Sequence, residues 1–325
     1  MDKLFFTLAL IISALALGYV VQKMVAGGSL SLPVPVAELR KILQKIGLLF
    51  FMPISFLSAV WSVSFHDIRV ILLPVVGFCA LMLGGLLGLG LAHLLKTETR
   101  QKGVLYCCGS FTNIGSIGGL VCYLFLGEVG FALVTIYKMS EEISYYTIGF
   151  PIARFYSGAT EGKQSLLRRI REVLTDPFVA AAMSSFAVGL SLNLLQVPRP
   201  QFFETVTAIS VPVGTFILIV SIGLGMRISS IARYLRESIG ISLIKFTIVP
   251  LSACTLAYLF GLHLINNGLP FKVVMILSSM PVAFNALLAA SIYDLDLDLA
   301  NSCWLVSTGC LIFVLPVLYF LVSIF

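Results

Sequence analysis

Lys138, Glu141, Glu142 and Lys245 are ionisable side chains set deep in strongly apolar sequence. Charge is costly there, and such residues usually carry function. On a helix Lys138 reaches either carboxylate, three residues on at Glu141 or four on at Glu142. The two glutamates point about 100° apart, so one lysine does not serve both equally. The other needs a partner, a proton or water. Two readings follow: a titrating carboxyl that couples movement of a solute to protons, or a static ion pair that orients its helix. Lys245 lies a turn before Pro250, where it can hold unwound carbonyls or snorkel toward the membrane surface.

Two polar interruptions lie in other apolar stretches. One is Gly109-Ser110-Phe111-Thr112-Asn113-Ile114-Gly115-Ser116-Ile117-Gly118-Gly119. Its glycines each lower helix stability by about 1 kcal/mol relative to alanine. The other is Ser278-Ser279-Met280-Pro281-Val282-Ala283-Phe284-Asn285. Pro281 there removes a donor and clashes with the preceding turn. Within lipid, non-helical backbone survives only where protein buries it or where it lines a cavity. Broken spans at matching positions of two halves are the best sequence pointer to a transport site. Their half-helix N-termini offer amide donors and partial positive charge, which suit a carboxylate. The expected contacts of a small anion are therefore Thr112, Asn113, Gly115, Ser116, Gly118, Pro281 and Asn285. The competing reading is structural: glycines for close packing and asparagines bridging helices.

The elements that carry these groups follow from composition. The chain has 325 residues, of which 59% are hydrophobic and 11% charged. Soluble domains are about 45–50% apolar and about 25% charged. A spanning helix needs about 20 apolar residues. By that rule ten spans are read, at 4–22, 41–63, 69–95, 103–126, 129–154, 174–196, 202–226, 238–262, 270–292 and 299–325. Period-2 alternation is lacking, which argues against a barrel. The first apolar run continues through Val21 and leads on into another span, so it reads as an uncleaved helix and not a signal peptide.

The formal net charge is +6, and basic residues concentrate on alternate loops. Lys23, Arg40 and Lys41 are followed by Lys96, Arg100 and Lys102, then Arg154, Lys163, Arg168, Arg169 and Arg171, then Arg227, Arg233 and Arg236. The positive-inside rule puts these loops in the cytoplasm and both termini outside the cell membrane. This distribution accounts for the charge without nucleic acid. The longest basic loop divides the spans five and five, giving a repeat at 1–155, a linker at 156–173 and a second repeat at 174–325. An odd number of spans inverts the second repeat relative to the first. Prolines match across the halves, Pro53 with Pro212 and Pro74 with Pro250.

Seven cysteines lie inside spans without paired spacing, so neither a disulfide framework nor a zinc site is indicated. No cofactor is implied. Gly84 and Gly88 form a small-xxx-small pair, for packing within the chain or for a dimer contact. No P-loop motif is present, so energy comes from an ion gradient or from the solute's own gradient. The pair Glu141-Glu142 is also how an intramembrane metallopeptidase motif begins, but Tyr146 stands where that motif needs arginine. A transporter-derived sensor would usually append a soluble domain, and none is read here.

The chain resembles the auxin efflux carrier family, particularly its bacterial members, over essentially its whole length. Asn113-Ile-Gly115-Ser-Ile-Gly118-Gly-Leu120 is similar to that family's N-x-G-x-x-G-x-P element, with Leu120 in place of proline. Thr112 stands where plant members tend to have proline. Leu126-Gly127-Glu128-Val-Gly130, Thr175-Asp176-Pro177, Val211-Pro212 and Met280-Pro281-Val-Ala-Phe-Asn285 also fit. The resemblance implies a ten-helix inverted repeat related to bile acid/sodium symporters and sodium/proton antiporters. It further implies broken, crossing fourth and ninth helices and elevator-type alternating access for small mono- or dicarboxylates. Asn113, Pro281 and Asn285 carry over as crossing residues. The pair Glu141-Glu142 departs from the family pattern, where uncharged amides are expected. Coupling to protons is the expected energy source, with sodium symport the alternative.

Overall fold

Proline shapes several helices of this protein, seen in a computed structural model that describes residues 2–62, 67–157, 177–226 and 228–324. Proline lacks an N–H, and its ring clashes with the carbonyl four residues back. Three helices relieve that clash by widening into a π turn, at Gly47–Phe51, Tyr145–Gly149 and Ile244–Ile248. Pro53, Pro151 and Pro250 each follow two residues later. A fourth π turn, Ile114–Gly118, has no such proline and follows a break in the chain. Pro74 instead starts a helix after a 3₁₀ turn, and Pro212 sits inside one, so the matched prolines differ in local shape.

The described residues are helical throughout, apart from turns and a single isolated bridge. The helices are α1 (Asp2–Ala26), α2 (Val36–Ile46), α3 (Met52–Ser62), α4 (Leu73–Leu94), α5 (Thr99–Ser110), α6 (Gly119–Ser144) and α7 (Phe150–Tyr156). They continue with α8 (Pro177–Leu194), α9 (Phe202–Gly223), α10 (Leu235–Leu243), α11 (Val249–Leu259), α12 (Leu269–Ser278), α13 (Phe284–Ile292) and α14 (Leu297–Ile324). Helix α6 bends at Gly127, whose φ of 76° favours glycine. The linker read at 156–173 lies, from residue 158 on, outside the described residues.

Among the described residues, seven stretches are long and apolar enough to cross a membrane. They are Asp2–Ala26, Val36–Ser62, Ile68–Leu94, Ile114–Glu141, Phe202–Gly223, Leu235–Leu259 and Leu297–Ile324. The difference from ten has a local cause. The spans read at 103–126 and 270–292 are interrupted, and no single helix fills either. The start of 174–196 lies outside the described residues. On α14, Phe313, Val317, Phe320 and Ile324 form an exposed apolar stripe. Water penalises such a surface and lipid does not.

The chain forms two compact units, each drawing segments from both halves of the sequence. One comprises residues 1–66, 116–135 and 176–226. There α1 lies close against α9, because a Cβ on Gly18 would come within 2.8 Å of the Gly223 Cα. An ion pair closes one part of this unit. Arg199 holds Glu128 through both carboxylate oxygens, at 2.5 and 3.0 Å. Thr207 donates to the same carboxylate at 3.0 Å, and Arg199 also donates to the Ser58 carbonyl at 3.0 Å.

The other unit comprises 67–115, 136–175 and 227–325. Its helices α4 and α5 touch backbone to backbone. A Cβ on Gly84 would collide with the Gly109 carbonyl, and one on Gly88 with that of Leu105. These two glycines let helices pack closely within the chain. The carboxylate of Asp296 caps α14 by accepting from the Leu299 amide at 3.0 Å. It also accepts from Tyr234 at 2.7 Å and Gln101 at 3.1 Å.

Candidate functional site

Helix α5 stops at Ser110, and Phe111 turns extended with φ −74° and ψ 120°. The break therefore forms without a proline. Thr112 then pairs antiparallel with Val282 of the second break. The Asn113 amide donates to the Pro281 carbonyl at 2.9 Å, and the Ala283 amide donates to the Phe111 carbonyl at 3.0 Å. Each interruption thus supplies the backbone partners that the other lost, which is what a buried non-helical segment requires. The Val282 amide finds the Ser307 hydroxyl at 3.2 Å.

Lys245 lies on the π turn Ile244–Ile248 and is fully buried. Its ammonium donates to Thr112 Oγ1 at 2.5 Å, to the Phe111 carbonyl at 3.0 Å and to the Ser110 carbonyl at 3.4 Å. It holds unwound carbonyls and does not snorkel. Both carbonyls lie at the end of α5, where the helix dipole is negative.

Glu141 approaches the same break from another side. Its Oε1 accepts from the Tyr145 hydroxyl at 2.6 Å. That hydroxyl accepts from the Thr112 amide at 3.0 Å and lies 3.2 Å from the Thr112 carbonyl. Lys138 pairs with Glu141 Oε2 at 3.2 Å. The ammonium end of Lys138 lies against Gly115, where an added Cβ would meet its Cε at 3.1 Å. The Lys138 side chain remains 21% exposed, against 5% for Glu141. The Phe111 ring rests on Tyr145 with centroids 4.0 Å apart, over a space that Gly149 leaves open.

The fold thus gathers Thr112, Asn113, Gly115 and Pro281 with Lys138, Glu141 and Lys245. Asn285 is half-buried in the first turn of α13, beyond the crossing. Ser116 and Gly118 belong to the other unit, where the Ser116 carbonyl accepts from Thr215 at 3.5 Å. The side chain of Glu142 lies outside the described residues. Sequence reasoning missed Tyr145 and Ser307. Tyr145 had a signal, since it stands four residues after Glu141 and so on the same helix face. Ser307 had none.

A family model described as membrane transport protein matches residues 5–319. The chain belongs to this auxin efflux carrier-like family of membrane transporters. Relatives within reach of direct comparison agree. An uncharacterized transporter of Methanocaldococcus jannaschii is 27% identical over 281 residues, covering 83% of this chain and 86% of its own. Another, of Methanothermobacter thermautotrophicus, is 25% identical over 242 residues, covering 73% and 74%. The match to the family model takes in both breaks and all of the charged residues around them.

Proposed function

We propose that this membrane transporter carries a small organic anion, a mono- or dicarboxylate, by secondary active transport coupled to protons. One observation carries the reading: Lys138, partly exposed and paired with Glu141, stands over Gly115 at the crossing. Lys138 brings a positive charge to the crossing, and a low-dielectric setting strengthens its attraction for an anion. The N-termini of the helical segments after each break add amide dipoles of the same sign.

Glu141 is the coupling group in this reading. Ionised, it takes the single proton of the Tyr145 hydroxyl, which then accepts from the Thr112 amide. Protonated, it can donate to Tyr145, whose own proton becomes available to the Thr112 carbonyl 3.2 Å away. Proton binding also removes a negative charge from beside the anion. The unit carrying the crossing would move as a body in an elevator cycle. The inverted repeats at 1–155 and 174–325, the ten-helix count and extracytoplasmic termini in the cell membrane belong to the same proposal.

Uptake of labelled small carboxylates into proteoliposomes, with imposed proton or sodium gradients, tests it. A proton gradient alone should drive accumulation, and Glu141→Gln or Glu142→Gln should remove the pH response. A sodium gradient that suffices without protons, or unchanged pH profiles in both variants, overturns the coupling. A thermal-shift screen of the purified protein tests the anion class, since ligand stabilises the folded state. Shifts with sugars or organic cations and none with carboxylates would reject it.

A further inference from the structure

The crossing has the makings of a cation site, yet an ammonium group already occupies its centre. Three oxygens converge on one point: the Ser110 and Phe111 carbonyls and the Thr112 hydroxyl, at 3.4, 3.0 and 2.5 Å from Lys245 Nζ. Unwound carbonyls at a half-helix C-terminus are the groups that hold sodium in broken transporter helices. We infer that the first break is a monovalent-cation site filled permanently by the chain's own Lys245, so that the crossing needs no bound metal ion.

Donor counting supports the assignment. An ammonium has three protons, and three oxygens surround this one. Lys245 is 0% exposed. It has no proton left over for a transported anion, so it cannot serve as a substrate contact in this state. Lys138, by contrast, is partly exposed. The ligand set is neutral, two carbonyls and a hydroxyl. That suits a single positive charge, whereas a divalent ion would call for carboxylates.

The tether sits on a π turn. Lys245 is the second residue of Ile244–Ile248. The wide turn that precedes Pro250 carries its stem, while Leu243, Ile248 and Leu251 on the same stretch are exposed. The inference does not depend on what the protein transports.

Removal of the side chain should leave an empty site of the same chemistry. The experiment is thermal unfolding of the purified full-length Lys245→Ala protein in choline chloride, then with sodium, potassium or methylammonium chloride at equal ionic strength. The variant should melt several degrees below the parent protein. Methylammonium or a small alkali cation should return much of the difference, while choline, too large to enter, should not. The parent protein should show no preference among the same salts. Three results overturn the inference: an unchanged melting temperature in the variant, a lowered one that no small cation restores, or sodium-specific stabilisation of the parent. If the alanine variant fails to fold, Lys245→Leu takes its place, since it packs the space of the stem and puts no donor among the three oxygens. Indifference of that variant to all cations would equally reject the site.

Discussion

Thr112 Oγ1 lies 2.5 Å from the Lys245 ammonium, across 133 residues of sequence. One hydroxyl thereby joins the unwound segment to a buried charge on a different helix. Thr112→Val keeps the shape and removes the oxygen. A buried ammonium proton is then left without a partner, at a cost of about 1–3 kcal/mol. Chemical or thermal unfolding of the variant should show that loss, and Thr112→Ser should recover most of it. A valine variant as stable as the parent would mean that the hydroxyl is not a ligand of Lys245.

Tyr145→Phe leaves the ring on Phe111 in place and removes the oxygen between Glu141 and Thr112. The Thr112 amide loses its acceptor and Glu141 loses a donor. Transport by this variant should respond to pH with a displaced midpoint, while carboxylate-induced thermal shifts persist. An unaltered pH profile would show that the hydroxyl does not report the state of Glu141.

Arg199 and Glu128 form a two-pronged pair, with side chains 15% and 18% exposed. Removing one partner of a buried pair strands the other, which costs about 3–5 kcal/mol. Arg199→Ala should therefore melt far below the parent. Arg199→Lys should fall in between, since a lysine makes one prong and not two. Equal stability of the lysine variant and the parent would contradict the bidentate geometry.

Gly84→Ala tests the backbone contact of α4 with α5. An added methyl would collide with the Gly109 carbonyl, and overpacking of this kind costs about 1–3 kcal/mol. The helices that must part to accept it include the one ending at the break, so binding of carboxylates should weaken along with stability. Gly90→Ala is the control, since a Cβ there meets nothing within 4 Å.

Asp296 offers a pH test outside the membrane spans. Burial works to raise its pKa, but the Leu299 amide, Tyr234 and Gln101 together outweigh that and hold it below the ordinary 3.8. A carboxyl whose folded pKa is depressed adds stability above its unfolded pKa and loses it as pH falls through the folded value. Asp296→Asn should therefore be less stable than the parent at neutral pH. The gap should close as the pH falls below 3.8. A gap that stays constant on acidification would show that the charge is not what stabilises.

Both interruptions were legible as such in the residues. Glycines around Asn113 and the proline at 281 weaken a helix locally, and local propensity is what a sequence displays directly. The ten spans were less legible, because a window long enough to find a span averages over Phe111–Asn113 and Ser279–Ala283, where the backbone is not helical. Composition cannot distinguish one long apolar helix from two short ones that meet at a break.

Spacing also put Lys138 within reach of either Glu141 or Glu142, since residues three or four apart share a helix face, and the structure shows the pair with Glu141. The amino-acid sequence by itself thus determined an apolar, many-span helical chain, where its helices fail, and which charges are near neighbours on one helix. Only the tertiary structure decided that the two failures pair with each other, that Lys245 holds the first of them, and that Tyr145 links it to Glu141. The physical reason is range. Helix propensity and i to i+4 contacts act within a turn or two. The choice of partner for an unwound carbonyl is made between segments far apart in sequence, by whichever donor the packed helices bring within 3 Å or so.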